Sequence, residues 1–155
     1  MKILVFSDSH GITREMSNVT EEEKPDLVLH LGDMVRDCDF CFYDTRVLRV
    51  RGNCDYGSNE ETERFLDLGA VKIWMTHGHL YNVKSGLSEF IAKGESLGAT
   101  ILLFGHTHKP YLLKTADYTV MNPGAAHFSY GVIDVAEDGS ADIRVEDVPA
   151  DFRKI

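Results

Sequence analysis

Five short apolar runs, each closed by Asp, Asn or His, constrain the fold of this chain more than any other feature. The runs cover residues 3–6, 27–31, 47–50, 71–75 and 101–104. Continuous Val, Ile and Leu runs separated by longer polar stretches are typical of strands that are buried on both faces of a largely parallel sheet. The helices between them are predicted at residues 12–23, 37–43 and 84–97. The pattern indicates an α/β fold.

From Tyr111 onward, strands separated by turn signals replace this pattern. The turns fall at residues 116–117, 122–124 and 137–139, and they indicate antiparallel strands. No Pro, Gly or Ser linker, internal repeat or low-complexity segment separates the two halves, and 155 residues suffice for one core. We therefore predict a single domain over residues 1–155, in which the second set of strands packs on the first as a two-sheet sandwich with helices outside.

Charge and hydropathy disfavour several classes of function. A net charge of -9 leaves no broad basic surface for long nucleic acids. No apolar run reaches the roughly 18 residues of a membrane span, and the opening MKILVFSDSH turns polar too early for a signal peptide. Cys38, Cys41 and Cys54 are too few and odd in number for a disulfide framework. These features predict a cytoplasmic protein that contacts no membrane, and we interpret the CxxC pair as ordinary thiols.

The residues that close the five runs all carry oxygen or imidazole ligands. They are Asp8 and His10, Asp33, Asn53, His77 and His79, and His106 and His108. The carboxyl ends of parallel strands gather at one edge of a sheet, so residues distant in sequence converge there. For any single one of these residues, a preference for turns is a sufficient explanation. Five successive runs with the same chemistry favour a shared site instead.

With His79 set aside, the two carboxylates, one carboxamide and four imidazoles suit divalent Mn, Fe, Co, Ni or Zn better than Mg or Ca, and we favour Mn or Ni. The set lacks thiolates, which disfavours a closed structural zinc site. Seven ligands are too many for one ion, whereas two ions that share a carboxylate would use them all. Such a pair, about 3.5 to 4 Å apart, can clamp an in-line phosphoryl displacement. The positive charge of two divalent ions exceeds the negative charge of Asp8 and Asp33. The site would therefore keep a net positive charge, which predicts a small anionic phosphoester as the substrate.

These residues also form an ordered series of motifs that resembles the calcineurin-like metallophosphoesterases. The motifs are DSH at 8–10, GD at 32–33, GNCD at 52–55, THGH at 76–79 and GHTH at 105–108. The short chain, the GNCD form and the NPG at 122–124 resemble the small bacterial and archaeal phosphodiesterase branch, to which Vps29 is related. The resemblance implies a four-layer αββα sandwich of two mixed β-sheets flanked by helices. It also implies a dinuclear phosphodiesterase or phosphatase that works by attack of a metal-bridging hydroxide.

Residue by residue, the resemblance implies two ligand sets that share Asp33 as a bridge. One set is Asp8, His10, Asp33 and His108, and the other is Asn53, His77, His106 and Asp33. The wider family usually has a histidine at the position of Cys54, so protonation of the leaving group there is an open question. The residues assigned to catalysis are Asp33, Asn53, Cys54, Asp55 and His79.

Several assignments stay open at this point. His79 is either a positioning group or a substrate contact, whereas His30 is interpreted as a buried structural histidine. The orientation of His127 is undecided, and Arg36 and Lys109 either bind phosphate or belong to the ordinary surface. The sequence does not decide the oligomeric state, a homo-oligomer included.

The main alternative function is a Vps29-like, non-catalytic scaffold for protein interactions. A scaffold has no need of seven intact ligand positions, so their presence favours the enzyme. A nuclease is disfavoured by the acidic charge of the chain.

Overall fold

Two five-stranded mixed sheets form the framework of the protein, whose computed structural model describes residues 1–42 and 44–153. The first sheet contains, in spatial order, β10 (Ala141–Asp147), β9 (Ser129–Val135), β1 (Lys2–Phe6), β2 (Leu27–His30) and β3 (Val47–Arg49). The second contains β4 (Glu63–Asp67), β5 (Lys72–Thr76), β6 (Ile101–Leu103), β8 (Thr119–Asn122) and β7 (Tyr111–Lys114). The strands β1, β2 and β3 are parallel to one another, as are β5, β6 and β8.

Successive side chains of the central strands pack on opposite sides of their sheets, as the two-residue period of a strand requires. In β1, Ile3 and Val5 join the apolar cluster between the two sheets, whereas Leu4 and Phe6 join the cluster beneath the first helix. In β5, Trp74 faces a third cluster on the outer side of the second sheet. Both faces of each sheet are therefore covered, and the predicted four-layer sandwich is confirmed.

The two α-helices lie on the outer faces of the sandwich. Helix α1 (Thr13–Glu23) packs Met16 and Val19 into the cluster under the first sheet, and α2 (Ser88–Ser96) packs Phe90 onto the second. Helix α1 begins one residue after the predicted start at residue 12, and α2 begins four residues after the predicted start at residue 84. Gly86, with φ 152, stands in the intervening turn. Among the described residues, no helix is long and apolar enough to cross a membrane.

The helix predicted at 37–43 is instead a 3₁₀ helix over Val35–Phe40, and the last residue of that prediction, Tyr43, lies outside the described residues. Two further 3₁₀ helices cover His79–Tyr81 and Ala150–Arg153.

The C-terminal strands form the predicted antiparallel pairs, β7 with β8 and β9 with β10, but the expectation that they form a separate set packed on the first is wrong. Strands β7 and β8 extend the second sheet, and β9 and β10 extend the first, so they form no antiparallel layer of their own. Strand β8 even runs parallel to β6. Strand β4, with the sequence ERFLD, was not predicted because its charged residues interrupt the apolar pattern. Its place at an exposed sheet edge accounts for that composition.

Candidate metal centre

The loops after β1 and β2 of the first sheet meet the loops after β5 and β6 of the second. The Asp8 N–H donates to the Gly32 carbonyl (2.9 Å), and the Gly105 N–H donates to the His77 carbonyl (2.9 Å). Between the sheets, the His106 N–H donates to Asp8 Oδ2 (3.0 Å). The predicted ligands in these four loops therefore converge, but at the junction between the two sheets rather than at the edge of one.

Four of the predicted ligands form a compact group. Asp8, His10, Asp33 and His108 each offer one ligand atom, and these atoms all lie within 4.8 Å of one another. Asp8 Oδ1 is 3.2 Å from His108 Nε2, and His10 Nε2 is 3.7 Å from Asp33 Oδ2. The two carboxylates are buried and the two imidazoles are exposed. This geometry suits a cation that contacts the buried carboxylates on its inner side and remains accessible to solvent on its outer side.

The Asp8 carboxylate tests whether a cation fits this group. Its Oδ2 accepts hydrogen bonds from the Ser7 hydroxyl (2.6 Å) and the His106 N–H. Its Oδ1 is buried, yet accepts no hydrogen bond from any described residue. An unpaired oxygen of a buried carboxylate is costly unless a positive charge compensates it. The residues present therefore fit a divalent ion at this point.

His77 is the centre of a second group beside the first. Its ring is fully buried, and Nδ1 donates a hydrogen bond to the Leu31 carbonyl (2.8 Å). Its Nε2 therefore faces Asp33 Oδ2 at 3.4 Å, Asp8 Oδ1 at 3.9 Å and His106 Nδ1 at 3.2 Å. A carbonyl that fixes one ring nitrogen and aims the other is the usual support of a metal-binding histidine. Asp33 thus lies within reach of both groups.

Ionisation of the two groups favours a positive charge between them. Burial opposes protonation of His77, but the carboxylates of Asp33 and Asp8 outweigh it and raise the pKa of the imidazole. Burial likewise opposes ionisation of Asp33, but His77 and the Cys54 N–H hold the pKa of that carboxyl well below its usual range. Burial, together with His77, lowers the pKa of His106 to about 4. Asp33 therefore stays charged and His106 stays neutral at pH 7, as ligands must be.

Five of the seven predicted ligands have a left-handed backbone. The φ angles are 53° at Asp8, 43° at His10, 66° at Asp33, 69° at His106 and 64° at His108. This conformation costs a residue with a Cβ about 1 to 2 kcal/mol, and such strain clusters at functional sites. The sharp turns aim the side chains of these residues back over the strand ends.

Asp55 supports the site from behind. Its Oδ1 accepts the backbone N–H groups of Met34 (2.7 Å) and Val35 (2.9 Å), and its Oδ2 accepts those of Asp33 (2.8 Å) and Gly52 (2.7 Å). With both oxygens engaged, Asp55 ties the GNCD loop to the loop that carries Asp33. Asp55 is therefore a positioning residue rather than a group that contacts a reacting atom.

One further support was not found from the sequence. The buried Asn122 amide donates to the Gly105 carbonyl (3.0 Å) and to Thr107 Oγ1 (2.9 Å), which holds the GHTH turn. The NPG turn was the available signal, but its contacts lie 15 and 17 residues away along the chain.

His30 is a buried structural histidine, as interpreted. Its Nδ1 accepts the Gly32 N–H (3.1 Å), and its Nε2 lies 2.9 Å from Ser9 Oγ. Ser9, which stands between the ligands Asp8 and His10, donates to Asp37 Oδ2 (2.7 Å). Burial lowers the pKa of His30 to about 4, so it is neutral at pH 7. This chain of hydrogen bonds anchors the DSH loop.

Three residues predicted to act in catalysis lie at the rim of the site. His79 packs near His77 and His106, with ring centroids 5.5 and 6.2 Å away. Its Nδ1 is buried without a hydrogen-bond partner among the described residues, and burial, with His77, lowers its pKa. Asn53 is exposed, and its amide donates to Cys54 Sγ (3.5 Å). The Cys54 N–H donates to Asp33 Oδ1 (2.9 Å), so this residue directly adjoins the shared carboxylate.

The remaining open residues lie outside the two ligand groups. His127 Nδ1 is 3.6 Å from the buried Glu15 carboxylate, outside the two ligand groups. Arg36 and Lys109 are exposed. Cys38 and Cys41 are buried free thiols in the cluster under the first sheet, and burial raises the pKa of both. These two cysteines are inert packing residues, as interpreted.

The arrangement of strands and ligands now allows comparison with known proteins. Residues 1–137 match the calcineurin-like phosphoesterase superfamily domain. The chain belongs to the calcineurin-like phosphoesterase superfamily. The family prediction is thereby confirmed, and membership in this metallophosphoesterase family implies divalent metal ions.

Individual relatives of this calcineurin-like phosphoesterase cover most of its length. The probable metallophosphoesterase YsnB of Bacillus subtilis is 31% identical over 149 residues, which cover 90% of this chain and 88% of that protein. A phosphodiesterase of Methanocaldococcus jannaschii is 26% identical over 151 residues, covering 80% and 83%. Vps29 of Entamoeba histolytica, solved in complex with Zn²⁺, has a TM-score of 0.72 at 19% identity, over 96% of this chain and 100% of that one. This last likeness concerns the fold.

Proposed function

We propose that this calcineurin-like phosphoesterase is a dinuclear, metal-dependent phosphodiesterase that acts on small phosphoesters. The observation that carries the proposal is the position of Asp33 between two ligand groups, 3.7 Å from His10 Nε2 and 3.4 Å from His77 Nε2. The relative from M. jannaschii, named as a phosphodiesterase, supports the choice of diesters.

The two groups would each hold one ion. Asp8, His10 and His108 would hold the first and Asn53, His77 and His106 the second, with Asp33 shared. When bound, the ions would lower the pKa of water to give a nucleophile at neutral pH and stabilise charge on the phosphate. Imidazole and carboxylate ligands suit Mn, Ni, Fe, Co or Zn, and Mn or Ni remain our preference.

Residues around the two groups would hold the proposed ligands in place. The backbone N–H of Cys54 holds Asp33 Oδ1, while the Leu31 carbonyl fixes the ring of His77. Asp55 keeps the two loops at a constant separation. We expect His79, at the rim, to contact a substituent of the substrate or its leaving oxygen. These hydrogen bonds would hold the proposed ligands in position before any substrate binds, which is the main requirement for electrostatic catalysis.

The assay that tests this function uses metal-depleted protein reloaded with Mn²⁺ or Ni²⁺. We expect hydrolysis of bis(p-nitrophenyl) phosphate that depends on the added ion and exceeds hydrolysis of p-nitrophenyl phosphate. A chelator should abolish both activities. If the protein binds the ions but turns over neither ester, the non-catalytic scaffold becomes the better account, since a Vps29 also shares this fold.

A second prediction concerns Cys54. Burial and the neighbouring Asp33 raise the pKa of its thiol, and a thiol is a weaker proton donor at pH 7 than an imidazole. We therefore expect efficient hydrolysis of aryl esters, whose leaving groups need little protonation, and slow hydrolysis of alkyl esters. Cys54→His should narrow this gap by a small part of the 10² to 10⁴-fold that general acids typically contribute.

The measurement is kcat/KM for an aryl and an alkyl diester in wild type, Cys54→His and Cys54→Ala. An unchanged aryl-to-alkyl ratio in Cys54→His, with normal metal content, would assign leaving-group protonation to another residue. His79 would then be the next candidate.

A further inference from the structure

Two surface depressions adjoin the candidate metal centre and share one loop. Residues 55–57 line both of them. Cys54, whose N–H contacts Asp33, also lines the first, and Asn53 and His79 also line the second. The loop therefore separates two open spaces, each of which begins beside the metal-binding residues.

Tyr56 forms the exposed part of this dividing loop. Its side chain is 92% exposed, and the other large hydrophobic side chains on the described surface reach at most 65%. It makes no hydrogen bond and no ring contact with any other described residue. An aromatic ring beside a reactive centre, with both faces in water, is available to stack on a second ring. Nothing in the packing of the protein accounts for this position.

Each depression also carries one guanidinium that is free to attract an anion. Arg36 lines the first and Arg51 the second, and neither side chain forms a hydrogen bond or ion pair within the described part of the chain. Arg49, in contrast, is held by Asp39 and Glu60, each at 3.0 Å. The unpaired cations favour an approaching phosphoester on both sides of Tyr56.

We propose that the two depressions receive the two substituents of a phosphodiester, and that Tyr56 stacks on a planar aromatic ring of the retained substituent. The proposal rests on the proposed function, because it places the phosphate at the metal centre. A diester has a departing and a retained substituent, whereas a monoester has one. Two spaces beside one phosphate position therefore match a diester, and the exposed tyrosine matches an aryl group rather than an alkyl group.

The test keeps the leaving group constant and varies the retained substituent. Phenyl p-nitrophenyl phosphate and methyl p-nitrophenyl phosphate both release p-nitrophenolate, so a change in their ratio reports on the retained group. We expect Tyr56→Ala to lower kcat/KM for the phenyl ester about 3- to 10-fold, the range of one aromatic pair, and to leave the methyl ester within about twofold. Tyr56→Phe should behave as wild type.

Phe65→Ala provides a matched control, since Phe65 is an exposed aromatic residue on β4, 43% exposed. It should leave the phenyl-to-methyl ratio unchanged. Calorimetry with phenylphosphonate and methylphosphonate measures binding without turnover. Tyr56→Ala should weaken the binding of phenylphosphonate and leave that of methylphosphonate unchanged.

The possible failures are distinguishable. If wild-type protein loaded with metal hydrolyses neither ester, the proposed function itself is contradicted. If it hydrolyses both and Tyr56→Ala leaves their ratio unchanged, the function stands and the stacking contact is overturned. A loss in Tyr56→Phe equal to that in Tyr56→Ala would likewise overturn it, because the ring would not be the cause.

Discussion

Asp33→Asn should abolish hydrolysis and weaken both metal sites at once. Asparagine has the shape of aspartate and can still accept the Cys54 N–H, but it removes the charge that both ligand groups share. A metal clamp contributes several kcal/mol to stabilisation of the transition state, so we expect kcat/KM to fall about 10³-fold or more. The measurements are kcat/KM for an aryl diester and metal content after dialysis.

Thermal unfolding separates loss of metal from loss of fold in this variant. Wild-type protein should gain stability when metal is added, because the folded state alone holds the ions. Asp33→Asn should still fold but lose that gain, and its metal-free form should unfold at a somewhat lower temperature than metal-free wild type, because His77 and the Cys54 N–H favour the charged Asp33 in the folded state. Asp117→Asn, which removes a carboxylate from the exposed turn between β7 and β8, is the matched control and should behave as wild type. Normal metal content and turnover in Asp33→Asn would refute a shared ligand.

Gly52→Ala should cause the next largest loss of metal affinity and activity, because it would displace the same Asp33 carboxylate. A Cβ at position 52 would collide with Asp33 Oδ1 and lie 2.7 Å from the Asp33 backbone N, which cannot rotate away. Supports of metal ligands typically contribute 10- to 100-fold to metal affinity or activity, and we expect a loss of about that size. Titration of the metal-depleted variant with Mn²⁺ measures the change in affinity.

Gly57→Ala is the control for this substitution. Gly57 belongs to the same loop and has φ 78, but a Cβ there would have no atom within 4 Å. It should cost the strain of a left-handed alanine, about 1 to 2 kcal/mol of stability, with metal affinity retained. If Gly52→Ala binds metal as tightly as Gly57→Ala does, the collision of the new Cβ with Asp33 does not lower metal affinity, and the prediction is wrong.

The candidate ligands could be located from the sequence because each follows an apolar run. His77 after β5 and His106 after β6 are examples of a local signal, a strand that ends in a ligand, and the ends of parallel strands meet for topological reasons. The covering helices followed from the same pattern. Local signals of this kind do not depend on knowing which strands pair.

The pairing of the strands could not be read in this way. Strand β9 looks like one more antiparallel strand, yet it lies beside β1 at the centre of the first sheet, while β8 joins the other sheet. Periodicity specifies which face of a strand is buried, but it does not specify the neighbour. Contacts across 130 or so positions, such as Lys2 with Asp134, leave no trace in a single sequence.

The supporting residues escaped prediction for a similar reason. Asp55 was assigned to catalysis from the GNCD motif, but its oxygens accept hydrogen bonds from backbone N–H groups 20 to 22 residues away as well as from that of Gly52. Ser9 looks like a spacer between two ligands, although it connects His30 to Asp37. Such roles depend on where distant backbone segments pass, which the folded structure alone reveals.

The measurement that tests the central claim most directly is calorimetric titration of metal-depleted protein with Mn²⁺, run in parallel on wild type and Asp33→Asn. We predict two equivalents per wild-type chain and a loss of both sites, or a severe weakening of both, in the variant. A wild-type chain that binds one equivalent, or a variant that still binds two with unchanged affinity, would contradict a dinuclear centre bridged by Asp33.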